Sequence, residues 1–136
     1  MGDKHLNDKV TLILGAAGKD NMGQVMARRF AKEGAKLVLA GRNEDSLKEI
    51  SEETGGSYVL CDITKKEEID SMVDEVVNRH GVLQSSIQAT GWGYLSPFLE
   101  SKEEDLIKIM NLQFKGPYQF FQACIPAMTE GGSIIQ

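Results

Sequence analysis

Residues 10–23 read Val-Thr-Leu-Ile-Leu-Gly-Ala-Ala-Gly-Lys-Asp-Asn-Met-Gly, and this stretch decides the fold of the chain. Its first five residues are apolar and rich in β-formers, and Gly15 ends the run, which predicts a buried strand. The loop from Gly15 to Gly23 contains small residues and leads into apolar residues at helical spacing. Small residues in such a loop let backbone N–H groups approach a pyrophosphate at the positive end of the helix. The stretch therefore predicts a nucleotide-binding strand–loop–helix unit.

The alternation of strand and helix continues along the chain. Further strands are predicted at Lys36–Ala40, Tyr58–Cys61, Leu83–Ala89 and, as an opening only, Ser133–Gln136. Apolar residues at helical spacing lie between them: Met22, Val25, Met26 and Phe30; Leu47 and Ile50; Ile69, Met72, Val73, Val76 and Val77; Leu106, Met110 and Phe114. This order predicts the α/β class, a Rossmann-type doubly wound parallel sheet that is incomplete after the start of the fifth strand. We expect residues 1–136 to form a single, partial dinucleotide-binding domain.

Local signals set the ends of the predicted helices. Asn43 is predicted to cap the second helix. Thr64 with Glu67, and Ser101 with Glu104, are predicted capping boxes, and residues 116–117, a Gly-Pro pair, are expected to bend or interrupt the long helix. The fourth strand is unusually polar, since a parallel strand covered on both faces is expected to be continuously apolar.

Composition excludes several classes of function. The net charge of −5 argues against a nucleic-acid surface, and no apolar run approaches the roughly 20 residues that span a bilayer. Cys61 and Cys124 lie far apart, which indicates reduced thiols in a cytoplasmic protein. His5 and His80 have no ligand-spaced partners, so no metal site is expected.

Two charged residues follow predicted strands, at the sheet edge where α/β proteins bind ligands. An acidic residue after the second strand would bind a ribose 2′-hydroxyl and repel a 2′-phosphate, but this chain has Gly41 and Arg42 there. Arg pairs with phosphate in a bidentate manner, so NADP is favoured over NAD. Asp62, after the third strand, has two open roles: it accepts a hydrogen bond from an adenine amino group, or it caps the following helix.

From about residue 8 to its end, the chain resembles the short-chain dehydrogenase/reductase family. The family's glycine loop corresponds to residues 15–23, its adenine-contacting Asp to Asp62, its Asn-Asn-Ala-Gly to residues 88–91, and its Gly-Gly-Ser-Ile-Ile strand start to residues 131–135. Its helix-borne catalytic Asn resembles Asn111, which would support a helix bend and a relay water. The resemblance implies a cofactor site formed by Gly15, Ala17, Asn21, Met22, Gly23, Arg42, Asp62, Ile63, Ala89, Thr90 and Gly91.

Three departures from the family pattern qualify this resemblance. The glycine loop is about two residues longer, which resembles the enoyl-thioester reductase branch, where a Ser stands in place of Asn21. Gln88 and Ala89 replace both family Asn residues after the fourth strand. The family's catalytic Ser and Tyr-x-x-x-Lys lie beyond the fifth strand, and neither Tyr94 nor Tyr118 has a Lys four residues later. These 136 residues are therefore expected to be a fragment of a longer protein, inactive alone.

Three functions remain open from the sequence. The first is an oxidoreductase that moves hydride between NADP(H) and a small-molecule alcohol or ketone. The second is an enoyl-thioester reductase, and the third is a non-catalytic nucleotide-binding or interaction module. For the full-length protein the resemblance implies a homo-oligomer that pairs through the long helix. Trp92 and Tyr94 either line a substrate mouth or pack the loop, while Ile107 and Phe114 predict a partly buried face around Asn111.

Overall fold

One parallel sheet forms the centre of the chain in a computed structural model that describes residues 4–136; the first three residues of the predicted domain lie outside it. Its strands are β1 (Val10–Leu14), β2 (Lys36–Gly41), β3 (Ser57–Leu60), β4 (Ser85–Gln88) and β5 (Ser133–Ile135), in the spatial order β3-β2-β1-β4-β5. The helices are α1 (Met22–Lys32), α2 (Glu44–Thr54), α3 (Lys66–His80), α4 (Glu103–Met110) and α5 (Gly116–Ala127). The predicted doubly wound parallel fold is confirmed.

The sheet is covered on both faces. Leu12 and Leu14 of β1 face the side packed by α3 and α5, where Met72 and Phe120 are buried. Ile13 points to the opposite side, which α1 and α2 cover. Because β1 lies between β2 and β4, the chain reverses its direction of winding at β1, and the crevice at the carboxyl ends of these strands is where such sheets bind ligands.

The buried face of α1 differs from the predicted one. Met22 and Val25 were expected in the apolar face, but they are 73% and 55% exposed. The buried residues are Gly23, Gln24 and Ala27. At Gly23 no side chain fits, because an added Cβ would lie 2.4 Å from the carbonyl oxygen of Gly15 at the end of β1. The helix therefore presents Met22 and Val25 to the surface.

The polar character of β4 has a structural explanation. Just before the strand, Gln84 Oε1 accepts the backbone N–H of Val10, and Gln84 Nε2 donates to Glu130. Inside the strand Ser86 is buried beside the thiol of Cys124. At its end Gln88 Nε2 donates to the carbonyl and hydroxyl oxygens of Thr90. The amide side chains of Gln84 and Gln88 thus hydrogen-bond at the two ends of β4, and apolar side chains could not form these bonds.

Both predicted capping boxes are wrong. Helix α3 begins at Lys66, and the Thr64 hydroxyl donates to the Asp62 carboxylate instead of accepting from the helix. Helix α4 follows Lys102 without a side-chain cap, and Ser101 Oγ donates to a carbonyl of the preceding turn, Phe98–Glu100. In each case the hydroxyl residue lies in a turn that ends before the helix starts. The predicted cap at Asn43 is confirmed, and Gly55 ends the same helix in a left-handed conformation.

A π-helical turn, Asn111–Lys115, joins α4 to α5. Pro117 has no backbone N–H to donate within the helix, and the N–H of Gly116 donates to the carbonyl of Asn111 across a widened turn. The interruption predicted from the Gly-Pro pair is therefore confirmed as a π turn, a feature often found at functional sites. Asn111 is partly buried as expected, but Ile107 and Phe114 are 52% and 63% exposed, so the predicted burial of those neighbours is wrong.

Candidate functional site

The glycine loop is packed against the ends of three strands. The N–H groups of Gly15 and Ala16 both donate to the carbonyl of Ala40, at 2.8 and 3.1 Å. Gly15 has φ +109°, and a Cβ added to it would lie 2.6 Å from the carbonyl carbon and oxygen of Ala89. A Cβ on Gly23 would lie 2.4 Å from the carbonyl oxygen of Gly15. Glycine is required at both positions. The absence of a Cβ at Gly23 lets α1 lie directly against the end of β1.

The start of α1 is shaped for an anion. Asn21 caps it: Asn21 Oδ1 accepts the N–H of Gln24 at 3.0 Å, and Asn21 Nδ2 donates to the Gly15 carbonyl at 2.7 Å. The first turn of α1 contains no acidic residue, whereas those of α2, α3 and α4 each contain two or three. The partial positive charge of this helix end is therefore not neutralised by its own side chains. A helix end of this kind can hold an anion, and the pyrophosphate assignment stays a prediction.

The end of β2 lies beside this loop. A Cβ on Gly41 would come within 2.5 Å of the Ala17 side chain, so the loop and the strand end touch where Gly41 stands. Arg42 follows immediately with an exposed side chain. Gly41 also accepts the N–H of Cys61 through its carbonyl, which places the end of β3 next to it. Ala17, Arg42 and the end of β3 are therefore brought together.

Asp62 lies in a turn that its own side chain stabilises. Its Oδ1 accepts the N–H and the hydroxyl of Thr64 at 2.9 and 2.7 Å, and its backbone N–H donates to Glu68 at 2.7 Å. Burial acts to raise the pKa of Asp62, but the hydrogen bonds from Thr64, with the charges of Arg42 and Lys65, lower it below its ordinary value. The carboxylate is thus held ionised as an acceptor, and it organises the turn before α3.

Ile63 connects this turn to the π turn. A Cβ on Gly116 would lie 2.7 Å from the Ile63 carbonyl oxygen and 3.0 Å from that of Asn111. The π turn therefore sits against the end of β3, and Asn111 is held at the same edge of the sheet as Asp62. The contact between Gly116 and Ile63 therefore places Asn111, the predicted catalytic residue, near the predicted cofactor residues Asp62 and Ile63.

The segment after β4 completes the edge. Ala89 donates its N–H to the Leu14 carbonyl at 2.7 Å, beside Gly15. Thr90 is held by Gln88, whose Nε2 donates to the carbonyl and hydroxyl oxygens of Thr90. For a Cβ on Gly91 the nearest atom would be Gln113 Oε1 at 3.8 Å, so the backbone there is open.

The aromatic residues that follow are packed onto α4 and the π turn. Lys108 Nζ lies 4.2 Å from the ring centroid of Trp92, and the Tyr94 hydroxyl donates to Asp105 at 2.9 Å. Gln113 Nε2 donates to the Trp92 carbonyl at 3.0 Å. Of the two roles left open for Trp92 and Tyr94, loop packing is therefore present in the structure.

Sequence reasoning missed Gln24. Its side chain is 4% exposed and makes hydrogen bonds to the glycine loop and to Ser46 of α2. The available signal was a glutamine in the first turn of a helix, next to the glycine that contacts the strand. Within residues 4–136, no group of three His, Cys, Asp or Glu residues is placed to hold a metal ion, and no helix is long and apolar enough to cross a membrane.

Comparison with known proteins decides the family. Residues 15–136 match the family model described as Enoyl-(Acyl carrier protein) reductase. A short chain dehydrogenase from Mycobacterium smegmatis superposes with a TM-score of 0.91 at 27% identity, over 98% of this chain and 59% of that one. The chain belongs to the short-chain dehydrogenase/reductase family.

Two further short-chain dehydrogenase/reductase comparisons bear on function. An uncharacterised oxidoreductase of Staphylococcus epidermidis is 28% identical over 130 residues, which cover 94% of this chain and 56% of the relative. The L-sorbose reductase of Gluconobacter frateurii, solved with NADPH and L-sorbose, gives a TM-score of 0.87 at 26% identity over 98% of this chain and 53% of that one. The chain thus spans a little over half the length of the proteins that it matches.

Proposed function

We propose that this chain is the NADP(H)-binding part of an oxidoreductase that transfers hydride between the nicotinamide cofactor and a small-molecule alcohol or ketone. The observation that carries the proposal is the convergence of four segments at one sheet edge: the glycine loop, Arg42, Asp62–Ile63 and Ala89–Gly91. In an open α/β sheet this edge, beside the switch in winding direction, is the place where dinucleotides bind. The NADPH complex of the similar L-sorbose reductase supports the same cofactor class.

Each segment has a part in holding the dinucleotide. The positive end of α1, which has no acidic residue in its first turn, and the loop N–H groups suit the pyrophosphate, while Asn21 keeps the loop in shape. Met22, exposed at the start of α1, is available to pack against the cofactor. Arg42 suits a 2′-phosphate, and Asp62, ionised, suits an adenine amino group.

The remaining site residues suit the far end of the dinucleotide and the reaction. The open backbone at Gly91 allows close approach, with Ala89 and Thr90 beside it. When bound, the cofactor supplies hydride. We propose that Asn111, in the π turn, supports the bend of its helix and a relay water. The proton-transferring Ser and Tyr-x-x-x-Lys expected from the family are not among these residues, so we expect this chain to bind cofactor without catalysing turnover.

A binding experiment tests the cofactor assignment. NADPH and NADH are titrated against the wild-type chain and against Arg42→Gln, with dinucleotide fluorescence as the readout. Loss of a charge-assisted phosphate contact should weaken NADPH binding roughly 10-fold to 100-fold and leave NADH binding within about twofold. Arg29→Gln is the matched control, since Arg29 is an exposed Arg in the last turn of α1. Equal affinities of the wild type for the two dinucleotides would overturn the NADP preference, and absence of binding would overturn the function.

The enoyl-thioester reductase branch is the second candidate. Two observations favour it: the glycine loop is longer than the ordinary family spacing, and the matching family model has the description of an enoyl reductase. Turnover assays on the full-length protein separate the candidates. NADPH oxidation with an enoyl thioester, and none with ketones, would replace the first candidate by the second.

We also propose that the full-length protein is a cytoplasmic homo-oligomer. Leu106, Met110, Phe114 and Tyr118 recur at a spacing of four along α4, the π turn and α5, and all are exposed. Such an apolar stripe supports pairing through this long helix. Both thiols are free, which suits a reducing compartment. Light scattering that showed a monomer for the full-length protein would contradict the assembly.

A further inference from the structure

Gln24 bridges the glycine loop and α2 from a buried position. Gln24 Nε2 donates to the Ala16 carbonyl at 3.1 Å and to Ser46 Oγ at 3.0 Å. Gln24 Oε1 accepts the backbone N–H of Asp20 at 2.9 Å. The residue is only 4% exposed, so these bonds have little competition from water.

The partners determine which way the amide points. A backbone carbonyl can only accept and a backbone N–H can only donate, so the bonds to Ala16 and Asp20 leave one orientation of the amide. Both hydrogens of Nε2 are then used, one on the loop and one on α2. Glu in this place would lack the donors, and Met, of similar shape, would lack donor and acceptor alike. The site therefore selects glutamine for its two-sided hydrogen bonding.

The two ends of this bridge belong to different parts of the candidate cofactor site. Ala16 and Asp20 lie in the loop assigned to the pyrophosphate, and Asp20 has φ +53°, a left-handed conformation that needs support. Ser46 lies in the first turn of α2, where its N–H donates to Asn43, the residue after Arg42. The bridge thus fixes the distance between the loop and the turn that carries Arg42.

A second link runs in parallel on the outside. Arg28 bonds Asp20 at 3.1 Å and Glu53 of α2 at 2.7 Å. These ion pairs are partly exposed to solvent and contribute little by themselves. We therefore assign the spacing between the glycine loop and α2 to the buried Gln24 amide, and not to the Arg28 ion pairs.

We propose that Gln24 is a positioning residue for cofactor discrimination. It holds the pyrophosphate loop and the Arg42 turn at the separation that lets one ligand engage both its pyrophosphate and its 2′-phosphate. This inference rests on the proposed function, because it assumes that the edge binds NADP(H). A ligand that uses only the loop tolerates a change in that separation, whereas a ligand that uses both sides loses affinity.

The test compares NADPH and NADH binding to full-chain variants. Gln24→Met should weaken NADPH about tenfold and NADH only about threefold, and Ser46→Ala should weaken NADPH about threefold with NADH unchanged. In an Arg42→Gln background, Gln24→Met should weaken both dinucleotides equally, because the 2′-phosphate contact is already lost. Gln122→Met, an exposed glutamine on α5, is the matched control and should change neither affinity.

The outcomes distinguish a failure of the proposed cofactor binding from a failure of the role proposed for Gln24. If the wild-type chain binds neither dinucleotide, the proposed function fails and the inference falls with it. A second outcome is that the wild type binds NADPH, but Gln24→Met in the chain that keeps Arg42 weakens NADPH and NADH by the same factor. Gln24 is then only structural, and the inference alone is overturned. Should Gln24→Met fail to fold, Ser46→Ala decides, because an unchanged ratio of the two affinities in that variant is equally contrary to the proposal.

Discussion

Replacement of Gly23 by alanine is the sharpest test of how α1 meets the sheet. A Cβ at this position would lie 2.4 Å from the Gly15 carbonyl oxygen, 2.8 Å from its carbonyl carbon and 3.0 Å from Ala16 Cα. All three atoms are backbone, so no side-chain rotation relieves the clash, and the helix must move by at least about 0.6 Å. Overpacking of this kind costs roughly 2–3 kcal/mol here.

Helix propensity acts in the opposite direction. Gly23 is the second residue of α1, and within a helix alanine is favoured over glycine by up to about 1 kcal/mol. The net loss in the free energy of unfolding should therefore be about 1–2 kcal/mol. Because the shift displaces the helix N-terminus from the loop, NADPH affinity should fall as well.

Urea denaturation followed by circular dichroism measures the first effect, and NADPH titration measures the second. Gly93→Ala is the control, since a Cβ at Gly93 meets nothing within 4 Å. That variant should leave both quantities close to those of the wild type. A Gly23→Ala chain as stable as the wild type, or more stable, would show that propensity dominates and that the close helix–strand approach is absent.

Two further variants test the loop and the pH response. Asn21→Ala removes the cap of α1 and the bond to Gly15, and should lower the free energy of unfolding by roughly 1–2 kcal/mol; Asn21→Ser keeps a capping oxygen and should recover part of it in the same denaturation assay, whereas two equal losses would refute the cap. Burial lowers the pKa of His80 below its ordinary 6.5, with Lys36 and Arg79 adding to the effect, so the folded chain binds the proton less readily than the unfolded chain. Stability should therefore be full above about pH 6.5 and decrease as the pH falls below it. His80→Gln should flatten that decrease between pH 7 and 5.5, and an unaltered slope would contradict the assignment.

The order of elements could be predicted because each carries its own local pattern. The β1 run, the glycine loop and the apolar face of α3 each specify one element through periodicity and turn residues, and they agree with the parallel topology that results. Asn43 was predictable as a cap because capping depends on neighbours along the chain. The strands lie where they were predicted, but their ends differ: β4 spans Ser85–Gln88 where Leu83–Ala89 was expected.

The packing of one element against another, such as α1 against the end of β1, could not be predicted from local sequence patterns. Met22 and Val25 have the spacing of a core face, yet the close approach of α1 to Gly15 reserves the buried positions for Gly23, Gln24 and Ala27. Only the three-dimensional packing shows that glycine and glutamine occupy the interior there.

The polar strand shows the same limit. Gln84 and Gln88 are unfavourable for a buried strand in isolation, and their partners, Val10 and Thr90, become evident only when the neighbouring backbone is placed beside them. Capping boxes failed for a related reason. The Thr64 hydroxyl donates to the Asp62 carboxylate, and it accepts no N–H from the first turn of α3.

The most direct test of the central claim is a ¹⁵N NMR titration of the chain with NADPH. The site described above predicts that amide shifts concentrate in residues 15–23, at Arg42, at Asp62–Ile63 and at Ala89–Gly91, and that the opposite end of the sheet around Gly55 and Arg79 stays unchanged. Shifts confined to that opposite end, or no shifts at millimolar NADPH, would contradict it.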